Sequence, residues 1–232
     1  MKELIEFLDA HNLPSDENTV NTFEKYMEGI LQWNEKINLT AIKDKDEFIK
    51  KHYIDSLIIE DIEEYRKGKS VIDIGTGGGF PGIPLAIVDK NKEFTLTDSL
   101  NKRLKVIDIL TREIGIDNCE EIHGRAEILG RGPLRETFDI AVSRAVANLS
   151  TLSEYCLPFV KKGGYMFAYK GPDWENEIKE AERAIGILGG RVLRVENMSF
   201  ADLNHNIIII EKIKNTPKKY PRNPGTPSKS PL

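Results

Sequence analysis

The sequence predicts an α/β protein in which a mostly parallel sheet of about seven strands follows an N-terminal helical extension. Residues 1–65 carry apolar side chains at the spacing of amphipathic helices. Residues 66–213 alternate short β-branched runs with amphipathic stretches, which is the pattern of βαβ units. Residues 214–232 are basic and rich in Pro and Gly, so we expect a tail without a regular element.

The extension is predicted to contain two helical runs. Their apolar residues are Val20, Phe23, Met27, Ile30 and Leu31, then Phe48, Ile49, Tyr53, Leu57 and Ile58. Asp44 and Glu47 have the spacing of a capping box, which marks the start of the second run. Trp33, His52 and Tyr53 are interpreted as residues that pack these helices together.

The sheet domain is predicted from seven β-branched runs. The runs cover residues 71–74, 94–97, 119–123, 138–142, 165–169, 192–196 and 207–212. Amphipathic stretches at 101–114, 149–159 and 174–188 predict helices between them.

Charge is distributed unevenly along the chain. The net charge of −4 argues against a protein that coats nucleic acid through its overall charge. From Lys212 onward, however, the sequence contains basic residues and no acidic ones. Among them, Lys218, Lys219, Arg222 and Lys229 are predicted to contact RNA phosphates.

Several classes of protein and site are not expected. No apolar run approaches the roughly 20 residues that cross a bilayer, and the N-terminus lacks the apolar core of a signal peptide. We therefore expect a cytoplasmic protein without a membrane partner. Cys119 and Cys156 form no recognisable motif and the histidines are scattered, so no metal site is predicted.

A glycine loop is the strongest motif in the sequence. The segment VIDIGTGGGFPGIPLA, residues 71–86, combines an apolar strand, the loop and a helix start. Gly75, Gly77 and Gly79 allow positive φ angles and a close approach of the backbone to a ligand. In a Rossmann-like sheet, such a loop after the first strand binds a nucleotide-like ligand.

Two ligand classes compete for this loop. Gly77, Gly79 and Gly82 match the dinucleotide fingerprint, in which a helix N-terminus holds a pyrophosphate. Asp73, at the end of the first strand, would repel a pyrophosphate and favour a ligand that carries a cation. S-adenosylmethionine carries an ammonium and a sulfonium, so it is the favoured cofactor, with a nicotinamide dinucleotide as the alternative.

Other strand ends supply further candidates. Asp98 ends the second strand and fits an acceptor for both ribose hydroxyls. The backbone of Ala126 and the side chain of Glu127 follow the third strand and fit an adenine edge. Arg144, at the end of the fourth strand, is placed to contact the cofactor or a phosphate.

Together, these motifs resemble the ribosomal small-subunit RNA methyltransferase G family, also called glucose-inhibited division protein B. The resemblance extends over almost the whole chain and rests on the segments WNEKINLT (33–40), HYIDSL (52–57), DIGTGGGFPGIP (73–84), DSLNKR (98–103), GRAE (124–127), SRA (143–145), GGYMFAYKG (163–171) and YPRNPGTPSKSPL (220–232). It implies a class I S-adenosylmethionine-dependent methyltransferase that methylates N7 of one guanine in bacterial 16S rRNA, near the decoding site. By motif match, the family's cofactor positions fall on Gly75, Phe80, Ala126, Glu127 and Arg144.

The chemistry of guanine N7 agrees with what the sequence contains. N7 has an in-plane lone pair and no proton, so its methylation needs no general base, and catalysis consists mainly of positioning. Candidates for gripping the base are Ser143, Arg144, Lys170 and a predicted loop at residues 204–206. Phe80 and Tyr169 are the candidates for stacking on it.

The resemblance implies 16S rRNA or the small ribosomal subunit as the partner. The sequence contains no coiled-coil repeat that would indicate an oligomer, so we expect a monomer. The alternatives are a small-molecule methyltransferase, a nicotinamide-dependent oxidoreductase and a non-catalytic RNA-binding module. The basic tail favours RNA over a small molecule.

Overall fold

The computed structural model describes residues 1–144, 146–200 and 203–232, and it is organised around a seven-stranded sheet. The strands are β1 (Ser70–Ile74), β2 (Glu93–Asp98), β3 (Cys119–His123), β4 (Phe138–Arg144), β5 (Val160–Lys170), β6 (Gly190–Phe200) and β7 (Leu203–Lys212). Their order is β3-β2-β1-β4-β5-β7-β6. Strands β1 to β5 are parallel, and β7 is antiparallel to β5 and β6. The predicted seven-stranded, mostly parallel sheet is confirmed.

The N-terminal region consists of one long helix and several shorter helical segments. They are α1 (Lys2–Ala10), α2 (Glu17–Asn34), α3 (Lys45–Phe48), a π-helical segment (Ile49–Ile54), α4 (Asp55–Leu57), a 3-10 turn (Ile58–Asp61) and α5 (Glu63–Lys67). Asp44 caps α3 by accepting a hydrogen bond of 2.9 Å from the Glu47 N–H, which confirms the predicted helix start.

The helices of the sheet domain and tail are α6 (Gly82–Val88), α7 (Asn101–Ile114), α8 (Ala126–Leu129), α9 (Leu149–Cys156), α10 (Trp174–Ile187) and α11 (Thr226–Lys229). The N-terminal helices share a hydrophobic core with α6, α7 and one face of the sheet, where Phe23 and Tyr53 belong to the same cluster as Ile140 and Phe167. On the other face, α9, α10 and Tyr220 of the tail form a second core. Residues 1–65 are thus a layer on the sheet.

Strand β5 begins at Val160, five positions before the predicted run. Gly163 and Gly164 indicate a turn when the sequence is taken alone. In the structure, however, a Cβ on Gly164 would lie 2.4 Å from the carbonyl oxygen of Asp139 in the neighbouring strand. The absence of a side chain here allows the close approach of two main chains.

The C-terminal tail is ordered against the α9 side of the sheet. The prediction that it lacks regular structure was wrong for Thr226–Lys229, which forms one turn of helix. Pro227 stands in the first turn, where a missing N–H costs little, and Gly225 precedes it with a φ of 81°. Tyr220, Pro221 and Pro227 are buried.

Two glycine substitutions test the description of β5. We expect Gly164→Ala to lower the free energy of unfolding by about 1–3 kcal/mol, because its methyl group must push β4 and β5 apart. Gly186→Ala, in α10 with open space around its Cα, is the matched control and should raise stability by about 0.5–1 kcal/mol. Urea unfolding measures both values, and equal effects of the two variants would contradict the close strand approach.

Candidate functional site

A cavity of about 850 Å³ opens at the carboxyl ends of β1, β2, β4 and β5. Its walls include Gly75, Gly77, Phe80, Asp98, Arg144, Tyr169 and Lys170, together with Lys51, His52 and Asp55 from the N-terminal layer. The strand order reverses between β1 and β4 at this edge. Ligands of α/β sheets bind at such a switch point.

A second cavity of about 230 Å³ continues along the same edge towards α8. The two cavities share Gly75, Asp98, Ser99 and Val146 as wall residues. The second is also lined by Ala126, Glu127, Arg125 and Tyr155. Gly75 and Gly77 after β1, Asp98 at the end of β2, and Ala126 and Glu127 after β3 therefore line two adjoining cavities, which together form a recess at this sheet edge.

Asp73 lies beneath the glycine loop and is fully buried. Its Oδ2 accepts hydrogen bonds from the Thr76 hydroxyl at 2.7 Å and from the Gly82 N–H at 2.9 Å. Burial raises the pKa of this carboxyl to about 6, although the two hydrogen bonds oppose the rise. Asp73 holds the loop and is not among the wall residues of either cavity, and its contact with the ligand's cation stays a prediction.

The glycines of the loop have different roles. Gly75 has a φ of 75°, lines both cavities and is so close to Val146 that a Cβ would lie 2.7 Å from that side chain. Gly79 faces α2, where its Cβ would lie 2.3 Å from the Tyr26 hydroxyl. That hydroxyl donates a hydrogen bond of 3.0 Å to the Gly78 carbonyl. Gly79 therefore permits helix packing, and its predicted backbone contact with the cofactor stays a prediction.

Asp98 stands between the two cavities. Its Oδ2 accepts a hydrogen bond from the Gly77 N–H at 3.0 Å, and its Oδ1 accepts one from the Leu100 N–H at 2.8 Å. A carboxylate has about four acceptor positions, so Asp98 is held in orientation and keeps capacity for further donors. This arrangement fits the predicted contact with a ribose diol.

Glu127 forms part of the wall of the smaller cavity with a side chain that is 3% exposed. Its Oε1 accepts a hydrogen bond of 2.8 Å from the Gly225 N–H in the tail and lies 3.4 Å from the Arg125 guanidinium. The tail thus holds the carboxylate that the sequence predicted at an adenine edge.

Arg144 connects the sheet edge to the N-terminal layer. Its Nη1 donates to Asp55 Oδ2 at 2.5 Å and to the Lys51 carbonyl at 2.8 Å, and its Nη2 donates to His52 Nδ1 at 3.0 Å. The His52 and Phe80 rings stack with centroids 4.2 Å apart. The guanidinium carbon lies 5.7 Å from the Phe80 ring centre.

His52 is a neutral imidazole with a defined tautomer. The Arg144 guanidinium has donors only, so Nδ1 must accept, and Nε2 carries the proton towards the Thr40 hydroxyl at 2.6 Å. Burial, and then the adjacent Arg144 cation, lower the pKa of His52 to about 3. The residue belongs to the π-helical segment, a rare conformation that is frequent at functional sites.

The other residues predicted to contact the target base differ in whether they line the large cavity. Ser143 is fully buried and donates to the Ile74 carbonyl at 2.7 Å, so it supports the sheet, and its contact with the target base stays a prediction. Lys170 lines the large cavity, and its Nζ donates to the Ala147 carbonyl at 2.7 Å and to Glu177 at 2.6 Å. The Tyr169 hydroxyl donates to the Ser56 carbonyl at 2.8 Å.

The predicted loop at residues 204–206 was wrong, because β7 begins at Leu203. Asn206 donates a hydrogen bond of 3.0 Å to the Gly171 carbonyl at the rim of the large cavity. The side chains of Asn204 and His205, and residue Ala145 of the SRA motif, lie outside the described residues.

Some cavity residues were missed or misinterpreted in the sequence. His52 was interpreted as a packing residue, and Asp55 was not singled out. The three-residue spacing of His52 and Asp55 places both on one face of a helix, and this was the one local indication that they act together. Their common partner Arg144 lies 89 positions from Asp55, so the sequence could not indicate it. Arg103 and Glu177 also line the cavity and carry no local signal of doing so.

The tail residues predicted to bind RNA fall into two groups. Lys218, Lys219 and Lys229 are exposed. Arg222 instead pairs with the buried Glu154, with Nη2 2.6 Å from Oε2. The Arg222 guanidinium is thus engaged by a carboxylate, and its contact with phosphates stays a prediction.

The recess fits S-adenosylmethionine better than a dinucleotide. In the dinucleotide fold, the N-terminus of the helix after the glycine loop receives a pyrophosphate. Here the Gly82 N–H at that position is already bound by the Asp73 carboxyl. In the described residues, no group of three His, Cys, Asp or Glu side chains could hold a metal ion. Within the same residues, no helix has the length and apolarity needed to cross a membrane.

The neutrality of His52 can be tested by NMR. We expect its Cε1–H resonance, assigned by its loss in His52→Gln, not to titrate between pH 5 and 8. The pKa of His52 is about 3 in the folded chain and about 6.5 in the unfolded chain. Between these two pH values only the unfolded chain binds the proton, so His52 should lower the folding stability as the pH falls from about 6.5 towards 3. A His52 resonance that titrates near neutral pH would contradict the buried, Arg144-bonded imidazole.

Solved structures of methyltransferases share this fold. A SAM-dependent O-methyltransferase from Thermotoga maritima matches with a TM-score of 0.55 and 14% identity, covering 81% of this chain and 73% of that chain. TYW2 of M. jannaschii, solved in complex with AdoMet, matches with a TM-score of 0.51 and 16% identity, covering 65% of this chain and 75% of that one. At such identities the likeness shows the fold alone, and it confirms the predicted Rossmann-like methyltransferase fold.

Sequence comparison identifies the family. The sequence model of rRNA small subunit methyltransferase G matches residues 19–207. A ribosomal RNA small subunit methyltransferase G of Clostridium novyi (strain NT) is 51% identical over 224 residues, which cover 95% of this chain and 92% of the relative. Its counterpart in Clostridium tetani (strain Massachusetts / E88) is 50% identical, with coverages of 94% and 92%. This chain therefore belongs to the rRNA small subunit methyltransferase G family.

Proposed function

We propose that this chain transfers a methyl group from S-adenosylmethionine to N7 of one guanine in the 530 loop of 16S rRNA. The observation that carries the proposal is the recess that the two adjoining cavities form at the sheet edge. Its smaller cavity is lined by Ala126 and Glu127, and its larger cavity is lined by Arg144 and Lys170. Asp98 lies between them, so one end suits a nucleoside and the other suits a target base.

The cofactor contacts follow from this arrangement. We assign the ribose hydroxyls to Asp98, whose carboxylate is already oriented by two backbone N–H groups. The adenine is assigned to the smaller cavity beside Ala126 and Glu127. Gly75 and Gly77 allow the close approach of the loop. When bound, S-adenosylmethionine supplies an electrophilic methyl group.

The target base needs orientation and no proton acceptor, because N7 carries a lone pair. The donor-rich Arg144 is held by Asp55 and His52, and Lys170 is held by Glu177. These fixed side chains suit the positioning of a polar base edge in the larger cavity. The neutral His52 uses Nδ1 to hold Arg144, so it is not a base in this proposal.

We propose that the RNA leaves the larger cavity along an adjoining groove, whose walls carry Lys43 and Arg103 as well as Glu35. The groove, of about 920 Å³, adjoins the cavity through Leu39 and Arg103. Cations in such a groove suit backbone phosphates. We propose that the exposed Lys218, Lys219 and Lys229 make additional phosphate contacts, and that the protein acts as a monomer in the cytoplasm, where its substrate is found.

Methylation of ribosomal subunits tests this function. Small subunits from a strain that lacks the gene are incubated with the protein and radiolabelled S-adenosylmethionine, and N7-methylguanine is mapped. We expect label at one guanine, and a fall of about 10–100-fold in kcat/KM for Arg144→Lys, which loses the planar fork. Arg112→Lys is the matched control, since Arg112 is exposed on α7 with 78% of its side chain accessible.

The outcomes separate the competing functions. Cofactor binding without label in RNA would favour a small-molecule methyltransferase, whereas RNA binding without cofactor binding would favour a non-catalytic module. A preference for a nicotinamide dinucleotide would overturn the assignment of the glycine loop.

A further inference from the structure

The C-terminal segment 213–232 lies beyond residue 207, where the match to the family's sequence model ends. Its basic composition is typical of an RNA-binding arm, yet much of it is fastened to the protein. The Arg135 guanidinium donates to the carbonyls of Tyr220 at 2.8 Å and Thr216 at 2.6 Å. Arg131 donates to the Pro221 carbonyl at 2.8 Å. The loop after α8 thus holds the first half of the segment.

A buried ion pair fixes the middle of the segment. Glu154 of α9 is fully buried, and its carboxylate accepts hydrogen bonds from the backbone N–H of Arg222 at 2.6 Å and from Nη2 at 2.6 Å. The Nε of Arg222 lies 3.0 Å from both oxygens. A buried carboxylate without its partner is costly, so α9 strongly favours a docked segment.

Beyond Arg222 the segment reaches the smaller cavity. The Gly225 N–H donates to Glu127 Oε1 at 2.8 Å, and the Ser228 hydroxyl donates to the Gly225 carbonyl at 3.1 Å. Glu127 and Tyr155 both line that cavity. The Thr151 hydroxyl of α9 donates to the Pro227 carbonyl at 3.0 Å, which keeps this turn in place. The position of the Glu127 wall of the cavity therefore depends on an atom of this segment.

We propose that residues 213–232 form a strap that completes the adenine end of the cofactor cavity, with Arg222 and Gly225 as positioning residues for Glu127. Neither residue touches the reacting atoms. Arg222 anchors the strap on Glu154, and Gly225 transmits its position through one hydrogen bond to Glu127. This inference rests on the proposed function, because it takes the recess to be the S-adenosylmethionine site.

Full-length variants with separate kinetic readouts test the strap. Arg222→Gln removes the charge that holds Glu154. Gly225→Ala keeps the Arg222–Glu154 ion pair but strains the backbone, because residue 225 has a φ of 81°. The added Cβ would meet no atom within 4 Å, so the variant causes no steric clash. We expect both variants to raise the Kd and KM for S-adenosylmethionine by about tenfold. The KM for small subunits, and kcat at saturating cofactor, should remain near wild-type values.

Lys214→Gln is the matched control, because it removes an exposed tail charge outside these contacts and should leave the Kd for S-adenosylmethionine unchanged. If Arg222→Gln fails to fold, Gly225→Ala and the double variant Arg222→Gln/Glu154→Gln, which removes both charges, provide the same readout.

The possible results have distinct meanings. A tenfold loss of cofactor affinity in Gly225→Ala, with an unchanged KM for subunits, supports the strap. Unchanged cofactor affinity in the folded variants overturns it, as does a rise only in the KM for subunits, which would indicate an RNA arm. If the wild-type chain itself does not bind S-adenosylmethionine, the proposed function fails instead.

Discussion

The buried Asp73 carboxyl is the constraint on which the site depends. Its Oδ2 binds Thr76 within the glycine loop and the Gly82 N–H at the start of α6, so a single side chain closes the loop at both ends. The loop then presents the Gly77 N–H to Asp98, which orients the carboxylate between the two cavities. Burial raises the pKa of the Asp73 carboxyl to about 6. The buried Asp73 side chain therefore holds the glycine loop and, through it, the orientation of the Asp98 carboxylate.

The two cationic side chains of the larger cavity, Arg144 and Lys170, are also fixed by hydrogen bonds to buried or half-buried neighbours. Arg144 is bound by Asp55 and His52 of the N-terminal layer, and Lys170 by Glu177 of α10. Fixed donors lose little freedom when a ligand binds, and they suit a reaction that requires alignment of two reactants more than proton transfer. The N-terminal helices are consequently part of the site as well as of the core.

Local patterns predicted most of the fold and only part of the site. The run at 101–114 became α7 with the same bounds, because its apolar periodicity coincides with the buried face. The strand-end positions indicated Asp98 and Arg144, and both line the larger cavity, but position alone could not give side-chain direction. Asp73 and Ser143 are also near strand ends, yet both lie inside the protein. The partnership of His52 with Arg144 spans 92 positions, so no local pattern encodes it.

The tail shows why a run of positive charge does not identify its own partner. Lys218 and Lys219 are exposed, whereas Arg222 meets a carboxylate with its backbone N–H, Nε and Nη2. A guanidinium can match a carboxylate through two parallel donors, but a lysine ammonium acts as a point charge. A phosphate and a buried carboxylate offer Arg222 similar acceptors. What decides between them is the fully buried Glu154 on α9, a residue that becomes a neighbour only when the chain is folded.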